Sequence, residues 1–329
     1  MFGTKASLNR ENIVMGFTNH FDARGKSVIV AGGSKGLGQE LALQLVALGA
    51  DVTVLARSLP SLKETKRLME QHLLVPGQTV DCQSLDLTDK AAVVEYISSL
   101  DEPPWALVCV AGGTAEEIGF LADISPDAIS SCMTKNYVSS AYIAQAVLKR
   151  WVTPTSEQKS NRVDSRHLVF TASTAALVSV PGYAAYAPTK AAIRSLADIL
   201  RQEVLMYQSV PPIKVHCSFP GTIYTESFFQ EQQAKPHLCK QIEGTLDDKG
   251  GMTAKEVARL TLQGLDRGQF FITPDFQTRV LLNNMRGPSP REYAIVDWVI
   301  GFFASLVWPF IRFYLDQLAK SAGRDKTKK

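Results

Sequence analysis

The sequence predicts a doubly wound α/β fold, in which helices cover both faces of a parallel sheet. Two observations predict it: apolar runs of strand length alternate with segments of helical periodicity, and the links between them are short. A third is a glycine-rich turn between the first strand and the first helix. Six such strand–helix repeats indicate one large α/β domain.

The composition narrows the classes of function. A chain of 329 residues can bury a full core, and its net charge of +3 argues against nucleic acid as the main partner. The five cysteines are scattered and lie mostly in apolar runs, which indicates reduced thiols of the core. No His or Cys pair has metal-ligand spacing, so we predict no metal and interpret the five histidines as structural or surface groups.

The first repeat contains the glycine turn. After a polar lead-in at residues 1–24, Ser27 to Val30 is predicted to be a buried strand and Leu41 to Leu48 a helix. Between them, Ala31 to Gly38 has the spacing G-x-x-x-G-x-G. Glycines allow close approach of phosphate oxygens, and the helix N-terminus offers free N–H groups. An ordinary turn is the alternative.

Arg57 follows directly after the second strand, Asp51 to Ala56. An acidic residue at this place would hold a ribose 2′-hydroxyl, whereas a cation suits a 2′-phosphate. Arg57, with Lys35 in the glycine turn, therefore indicates NADP. A solvated arginine is the alternative.

The alternation continues to a fourth strand. Asp86, at the end of the third strand, is predicted either to cap a helix or to bind an adenine ring, and Gly112-Gly113 after the fourth would let a cofactor lie against the backbone. The predicted elements are a helix over Pro60 to Leu73, a strand over Val80 to Leu87, a helix over Lys90 to Leu100 and a strand over Ala106 to Ala111.

Asn136 is a polar residue within the apolar pattern of a long predicted helix, Pro126 to Trp151. It either bends the helix by bonding to backbone or holds a water against Lys190. Thr153 to Arg166 is predicted to be a polar surface insertion.

Ser173 to Lys190 is the stretch that indicates chemistry. If Tyr186 opens a helix, Lys190 lies one turn later on the same face, where its ammonium would lower the phenol pKa from about 10. Ser173 follows a buried strand, at the edge where open α/β sheets bind ligands. A Tyr and a Lys four residues apart also occur by chance.

The rest of the domain is predicted to contain a lid. After a helix over Ala191 to Met206 and a strand over Ile213 to Phe219, residues 222–251 show no clear strand, which favours a mobile lid. A helix over Ala254 to Leu265 and a strand over Gln269 to Thr273 complete a domain at 25–275.

Together, A-G-G-S-K-G-L-G, L-D-L, A-G-G, N-Y, Ser173, Y-A-P-T-K and P-G in this order resemble the short-chain dehydrogenase/reductase family over roughly residues 25–275. The resemblance implies a Rossmann-type fold with Tyr186 as general acid, Lys190 lowering its pKa and holding the nicotinamide ribose, Ser173 orienting the carbonyl and Asn136 anchoring a relay water. The predicted NADPH/NADP contacts are Gly32, Ser34, Lys35, Gly36, Leu37, Gly38, Arg57, Asp86, Leu87, Gly112, Tyr186, Lys190, Pro220, Gly221 and Thr222.

The C-terminal part, residues 276–329, contains the apolar segment Trp298 to Leu315. As one helix it would span roughly 27 Å, close to the ~30 Å of a hydrocarbon core. Pro309 and Arg312 interrupt it, and basic residues lie on both sides, including Arg279 and Arg286 before it, so we expect a re-entrant or in-plane membrane anchor. A buried helix at an oligomer interface is the alternative.

Within the family, the chain resembles the 3-ketodihydrosphingosine reductases in its G-G-S-K-G-L-G turn, in L-A-R after the second strand, in P-G-T-I-Y-T at the start of the predicted lid and in its apolar C-terminal segment. This implies NADPH-dependent reduction of a long-chain ketolipid at the endoplasmic reticulum membrane, and homo-oligomer formation is left open. Because the N-terminus has no apolar stretch typical of a secretory signal, we expect the catalytic domain to face the cytosol. Glu226 or Glu231 in the lid could reach the substrate amine. The alternatives are reduction of another lipophilic ketone, such as a steroid or a long-chain 3-ketoacyl group, and a non-catalytic NADP-binding adaptor.

Overall fold

A parallel sheet of seven strands forms the centre of the structure, with the order β3-β2-β1-β4-β5-β6-β9. The computed structural model describes residues 20–114, 117–153, 164–207, 211–243 and 250–326, without the side chains of 324–326. The strands of the sheet are β1 (Ser27–Ala31), β2 (Asp51–Ala56), β3 (Val80–Ser84), β4 (Ala106–Cys109), β5 (Arg166–Thr171), β6 (Ile213–Ser218) and β9 (Phe271–Ile272). Two further short strands, β7 (Ile223–Tyr224) and β8 (Met252–Thr253), pair with each other.

Helices cover both faces of the sheet, as predicted. One face packs against α1 (Gly36–Ala47), α2 (Leu59–Glu70) and α9 (Ala254–Asp266), and the other against α3 (Lys90–Ser99), α5 (Ser139–Val152) and α6 (Tyr186–Glu203). The remaining helices are α4 (Pro126–Met133), α7 (Glu226–Ala234), α8 (His237–Glu243), α10 (Phe276–Met285) and α11 (Ala294–Lys326). The order of the chain reverses between β1 and β4, so a crevice for ligands opens at the carboxyl ends of the strands.

The long helix predicted over Pro126 to Trp151 is interrupted. A π-helical turn, Thr134–Val138, separates α4 from α5, and Asn136 lies inside it. Such turns are rare in proteins as a whole, and those that occur are frequently found at functional sites. Helical periodicity in the sequence does not show a single wider turn, because the apolar pattern continues on both sides of it.

The lid region differs from its prediction. The sequence showed no strand over residues 222–251, but β7 lies near the start of this region and pairs with β8, which follows directly after its end. Helices α7 and α8 lie between the two strands. A two-residue strand is too short to leave a period in the sequence. Residues 244–249 of the predicted lid, 154–163 of the predicted insertion and 1–19 of the predicted arm lie outside the described part of the chain.

The core begins before the predicted boundary at residue 25. Phe21 is buried, and its ring packs against Trp105 and His167. His167 stacks on His216, with 3.0 Å between Nδ1 of the first and Nε2 of the second. These two histidines are therefore structural groups of the core.

The C-terminal helix α11 is continuous through Pro309, contrary to the interruption predicted there. Its apolar span is 30 residues long and extends beyond the predicted segment. Only 11% of the most apolar stretch within that span is buried. Among the described residues it is the one helix long and apolar enough to cross a membrane. Neighbouring turns can maintain a helix at a proline that lacks only one N–H donor.

Buried ion pairs fix the start of α11 to the domain. Asp297 accepts hydrogen bonds from Arg279 at 2.9 Å and Asn283 at 3.2 Å, and Arg286 lies 3.5 Å from its second oxygen. A side chain at Gly301 would come within 2.8 Å of the Asn283 carbonyl oxygen, so α10 and α11 cross closely. Arg279 and Arg286, which the sequence suggested as flanking charges of a membrane anchor, are thus both ion-paired to Asp297, and Arg286 is buried while Arg279 is partly exposed.

Candidate active site

A cavity of about 1810 Å³ opens at the carboxyl ends of the strands. Every residue predicted from the sequence to contact a cofactor lines this cavity, and so does Ser173. The sequence placed these side chains on several strand ends and on a helix, and the parallel sheet brings them together because parallel strands end at one edge.

Tyr186 begins α6 and faces the cavity beside Ser173. Burial raises the pKa of the Tyr186 phenol well above its ordinary value, and the Glu231 carboxylate adds to the rise, whereas a hydrogen bond with the Ser173 hydroxyl opposes it. The predicted lowering of this pKa is therefore wrong for the structure described here. The physical reason is that the low polarity around the phenol penalises its anion more than its neighbours stabilise it.

Lys190 is buried one turn after Tyr186. Its ammonium nitrogen lies 5.7 Å from the centre of the Tyr186 ring and donates a hydrogen bond to the Thr171 carbonyl oxygen at 3.0 Å. Burial lowers the pKa of Lys190 to about 8. The end of β5 thus holds the ammonium in place beside the phenol.

Asn136 lies behind the cavity wall, where its side chain holds the loop after β4. Its Oδ1 accepts from the Gly113 N–H at 3.0 Å, and its Nδ2 donates to the Gly113 carbonyl oxygen at 2.9 Å and to the Cys132 carbonyl oxygen at 3.0 Å. A side chain at Gly112 would come within 2.3 Å of Oδ1 and 3.5 Å of the Lys190 ammonium. Of the two alternatives for Asn136, the bonding to backbone is present, and the relay water stays a prediction.

The glycine turn fits a phosphate group. Gly32 has φ +94°, and a side chain there would come within 2.4 Å of the backbone nitrogen of Ala111. In the described part of the chain no side chain caps the N-terminus of α1, where Gly36, Leu37 and Gly38 line the cavity. An uncapped helix N-terminus offers N–H groups and a positive dipole to an anion.

The two cations predicted to bind a 2′-phosphate have different surroundings. The Arg57 side chain is exposed at the cavity wall, at the end of β2. Lys35 forms an exposed ion pair, 3.0 Å long, with Glu226 at the start of α7. Asp86 accepts two hydrogen bonds from Thr88, and the cap of α3 is Asp89, so Asp86 does not cap the helix.

Charged side chains of the predicted lid form a cluster beside the cavity. The sequence analysis predicted a role only for Glu231 among its members. The Tyr183 hydroxyl lies 2.5 Å from a Glu231 oxygen and 2.8 Å from a Glu243 oxygen, and the Lys235 ammonium contacts both carboxylates. We call these four residues the lid cluster. The Tyr183 ring lies 5.6 Å from the Tyr186 ring, so the lid cluster and the phenol share one wall of the cavity.

The C-terminal helix also reaches the cavity. Trp308, Ile311 and Leu315 of α11 line it, together with Phe276 at the start of α10. The sequence analysis did not predict this, although the spacing of three and four residues places the three side chains on one helical face. Periodicity alone gives no sign of what that face contacts.

Comparison with known proteins agrees with the fold. The family model for short chain dehydrogenases matches residues 26–236. The chain is 36% identical to the 3-ketodihydrosphingosine reductase ksrA of Aspergillus fumigatus, over 88% of this chain and 83% of that protein. It is 34% identical to a PIGF/3-ketodihydrosphingosine reductase fusion protein of Schizosaccharomyces pombe, over 95% of this chain and 60% of the fusion protein.

A solved structure shares the fold at lower identity. It is a short chain dehydrogenase of Shigella flexneri complexed with NADP, with a TM-score of 0.60 and 20% identity, over 77% of this chain and 98% of that one. A nicotinamide dinucleotide is the typical cofactor of such enzymes. From the matched family model, the parallel sheet, the glycine turn and the pairing of Tyr186 with Lys190, we conclude that this chain belongs to the short-chain dehydrogenase family.

Proposed function

We propose that the protein is an NADPH-dependent reductase that converts 3-ketodihydrosphingosine to dihydrosphingosine at a membrane surface. The observation that carries the proposal is that one cavity is lined by Tyr186, by Tyr183, Glu231 and Glu243 of the lid cluster and by the apolar helix α11. A ketone, an amine and a long alkyl chain are the three parts of this substrate. The named activity of the fungal relatives supports the same reaction.

The proposed chemistry places the proton donor on Tyr186. A bound nicotinamide coenzyme would supply hydride to the carbonyl carbon. Tyr186 gives its proton to the carbonyl oxygen as that oxygen gains negative charge, and Ser173 hydrogen bonds to the same oxygen. Since its raised pKa keeps Tyr186 protonated at neutral pH, the phenol is ready to act as an acid, which suits reduction.

Lys190 supports this proton transfer. Below its pKa of about 8 it is an ammonium, which stabilises negative charge that develops on the phenol oxygen. The Thr171 carbonyl holds the ammonium at the base of the cavity, and Asn136 holds the glycine loop next to it. Lys190 is also within reach of a nicotinamide ribose bound along this wall, as the family pattern implies.

The cofactor would lie along the carboxyl ends of the strands, between the glycine turn and Lys190. The glycine turn and the N–H groups at the start of α1 would hold the pyrophosphate, and Pro220, Gly221 and Thr222, which also line the cavity, would hold the nicotinamide end. Arg57 binds the 2′-phosphate, because its exposed guanidinium can form paired hydrogen bonds to phosphate oxygens. This choice of cation makes NADPH the preferred reductant.

The lid cluster is our candidate for the substrate amine. Its two carboxylates and one ammonium have a formal charge of −1, which favours a cation beside Tyr186. Of the two glutamates predicted for this role, Glu231 belongs to the cluster, whereas Glu226 pairs with Lys35 near the glycine turn. We therefore assign the amine contact to Glu231.

The helix α11 would anchor the enzyme in the bilayer. Exposed large apolar side chains surround it, such as Phe303, Phe310 and Phe313, and a helix that is apolar all round is typical of a buried or membrane environment. Each methylene moved from membrane to water costs roughly 0.8 kcal/mol, so a reductase of a long-chain lipid gains by remaining at the membrane.

The decisive experiment is NADPH oxidation by detergent-solubilised full-length protein with a panel of ketones. The panel contains 3-ketodihydrosphingosine, a long-chain 3-ketoacyl thioester and a steroid ketone. We expect the highest kcat/KM for 3-ketodihydrosphingosine. A higher kcat/KM for either of the other two would assign the enzyme to that substrate, and no turnover of any of them would contradict the reductase proposal.

A further inference from the structure

The face of α11 that carries Trp308, Ile311 and Leu315 is part of the catalytic cavity, although the helix itself is mostly exposed. These residues lie three and four positions apart, so they form one stripe along the helix. Across the cavity wall the stripe continues into α10, where Phe276, Val280 and Leu281 also line the cavity. An apolar strip therefore runs from the exposed helix into the chamber that contains Tyr186.

The opposite face of α11 is different. Leu306 is 54% exposed and does not line the cavity, and Phe310 is 76% exposed. Leu306 and Leu315 are nine residues apart, which is two and a half helical turns, so they lie on opposite faces. One face of this helix is thus available to lipid while the other borders the active site.

The position of this face is fixed relative to the domain. The Asp297 ion pairs and the close crossing at Gly301 attach the start of α11 to α10, and the helix also contacts α8, which carries Glu243. A helix attached at its base in this way maintains the orientation of its stripe toward the cavity. The same attachment keeps the lid cluster beside the stripe.

We propose that the stripe formed by Trp308, Ile311 and Leu315, together with Phe276, Val280 and Leu281, binds the alkyl chain of the substrate, which enters laterally from the bilayer along α11. The proposal rests on the proposed function, because it assumes a long-chain substrate. It assigns α11 two roles: one face contacts lipid, and the other contacts the alkyl chain of a substrate bound next to Tyr186. The polar end of the substrate would then lie between Tyr186 and the lid cluster.

The test compares two identical substitutions on the two faces, in the full chain and in vesicles. Leu315→Trp fills the stripe, and Leu306→Trp places the same side chain in lipid. The measurement is the ratio of kcat/KM for a long-chain 2-amino-3-ketone over a short, water-soluble one with the same polar end. We expect Leu315→Trp to lower this ratio at least tenfold and Leu306→Trp to change it less than twofold.

Equal ratios for the two variants would overturn the proposal, since they would show that the face of the helix is irrelevant. Because Leu315→Trp could impair folding, a second experiment uses the wild-type chain and a long-chain amino ketone with a photoreactive group at the end of its tail. Labelling within 308–315 or 276–281 supports the proposal, and labelling confined to other segments overturns it. If the wild type reduced neither ketone, the proposed function itself would fail, which is a distinct result.

Discussion

Lys35 in the glycine turn forms a 3.0 Å ion pair with Glu226, the first residue of helix α7 in the lid. This pair connects the proposed phosphate site to the predicted lid. Both side chains are largely exposed, so the pair contributes little to stability. The pair matters for cofactor binding, because it occupies Lys35 and leaves Arg57 as the more available cation for a 2′-phosphate.

Arg57→Glu should therefore reverse the cofactor preference toward NADH. Loss of charge-assisted hydrogen bonds, worth about 1.5–3 kcal/mol, predicts at least a tenfold fall in the NADPH to NADH ratio of kcat/KM. Lys35→Met is the comparison, and we expect a smaller change. If Arg57→Glu leaves the ratio as it is and Lys35→Met lowers it, the phosphate site lies at Lys35.

Tyr186→Phe should abolish reduction while NADPH binding stays nearly intact, because the change removes a proton donor and keeps the ring. General acid catalysis contributes a factor of about 100 to 10,000 to the rate, so kcat should decrease by a factor in this range. Cofactor binding is followed by NADPH fluorescence as the control. Activity within a few-fold of the wild type would contradict the assignment of Tyr186.

The rate of reduction should fall as pH rises through about 8. Burial lowers the pKa of Lys190 to about 8, so its ammonium is present below that pH and is lost above it. Tyr186, whose pKa is raised, stays protonated as the pH passes through 8. We expect kcat/KM measured with NADPH between pH 6 and 10 to show one alkaline limb, which Lys190→Arg should shift upward or remove. A flat profile up to pH 9.5 would exclude Lys190 as the titrating group.

Glu231→Gln should weaken recognition of the substrate amine. The substitution keeps the shape of the side chain and removes one of the two carboxylates that contact Lys235, which takes the lid cluster from a formal charge of −1 to 0. We expect the selectivity for a long-chain 2-amino-3-ketone over the ketone without the amine to fall about tenfold. Glu203→Gln, on the exposed end of α6, is the matched control. Equal selectivity in wild type and Glu231→Gln would show that the amine binds elsewhere.

Removing residues 302–329 should release the protein from membranes and depress turnover of long-chain ketones in vesicles. The cut is placed after Gly301 because Asp297 must remain: without it the buried Arg286 would lose its charged partner, and breaking such a pair costs about 3–5 kcal/mol. Sedimentation with vesicles and kcat/KM for long and short ketones are the measurements. A truncated, folded protein that stays on membranes and keeps full long-chain activity would show that α11 is a packing or oligomer contact.

The sequence by itself determined the parallel α/β fold and the residues around the cofactor cavity. This was possible because strand and helix periods, glycine turns and the Tyr–Lys spacing are local patterns, and because parallel strands deliver their carboxyl ends to one edge. All of the predicted cofactor contacts and Ser173 line one cavity for this reason. Asn136 was also recognised as unusual, although its π-helical turn was not.

Only the tertiary structure decided the contacts between segments that are distant in the chain. Three such contacts are the pairing of Tyr183 with Glu231 and Glu243, the ion pairs of Arg279 and Arg286 with Asp297, and the approach of Leu315 to the cavity. Each joins residues without a common local pattern. The direction of the Tyr186 pKa shift was missed for a related reason. A sequence shows which charge lies one turn away, but desolvation depends on everything that packs around the phenol.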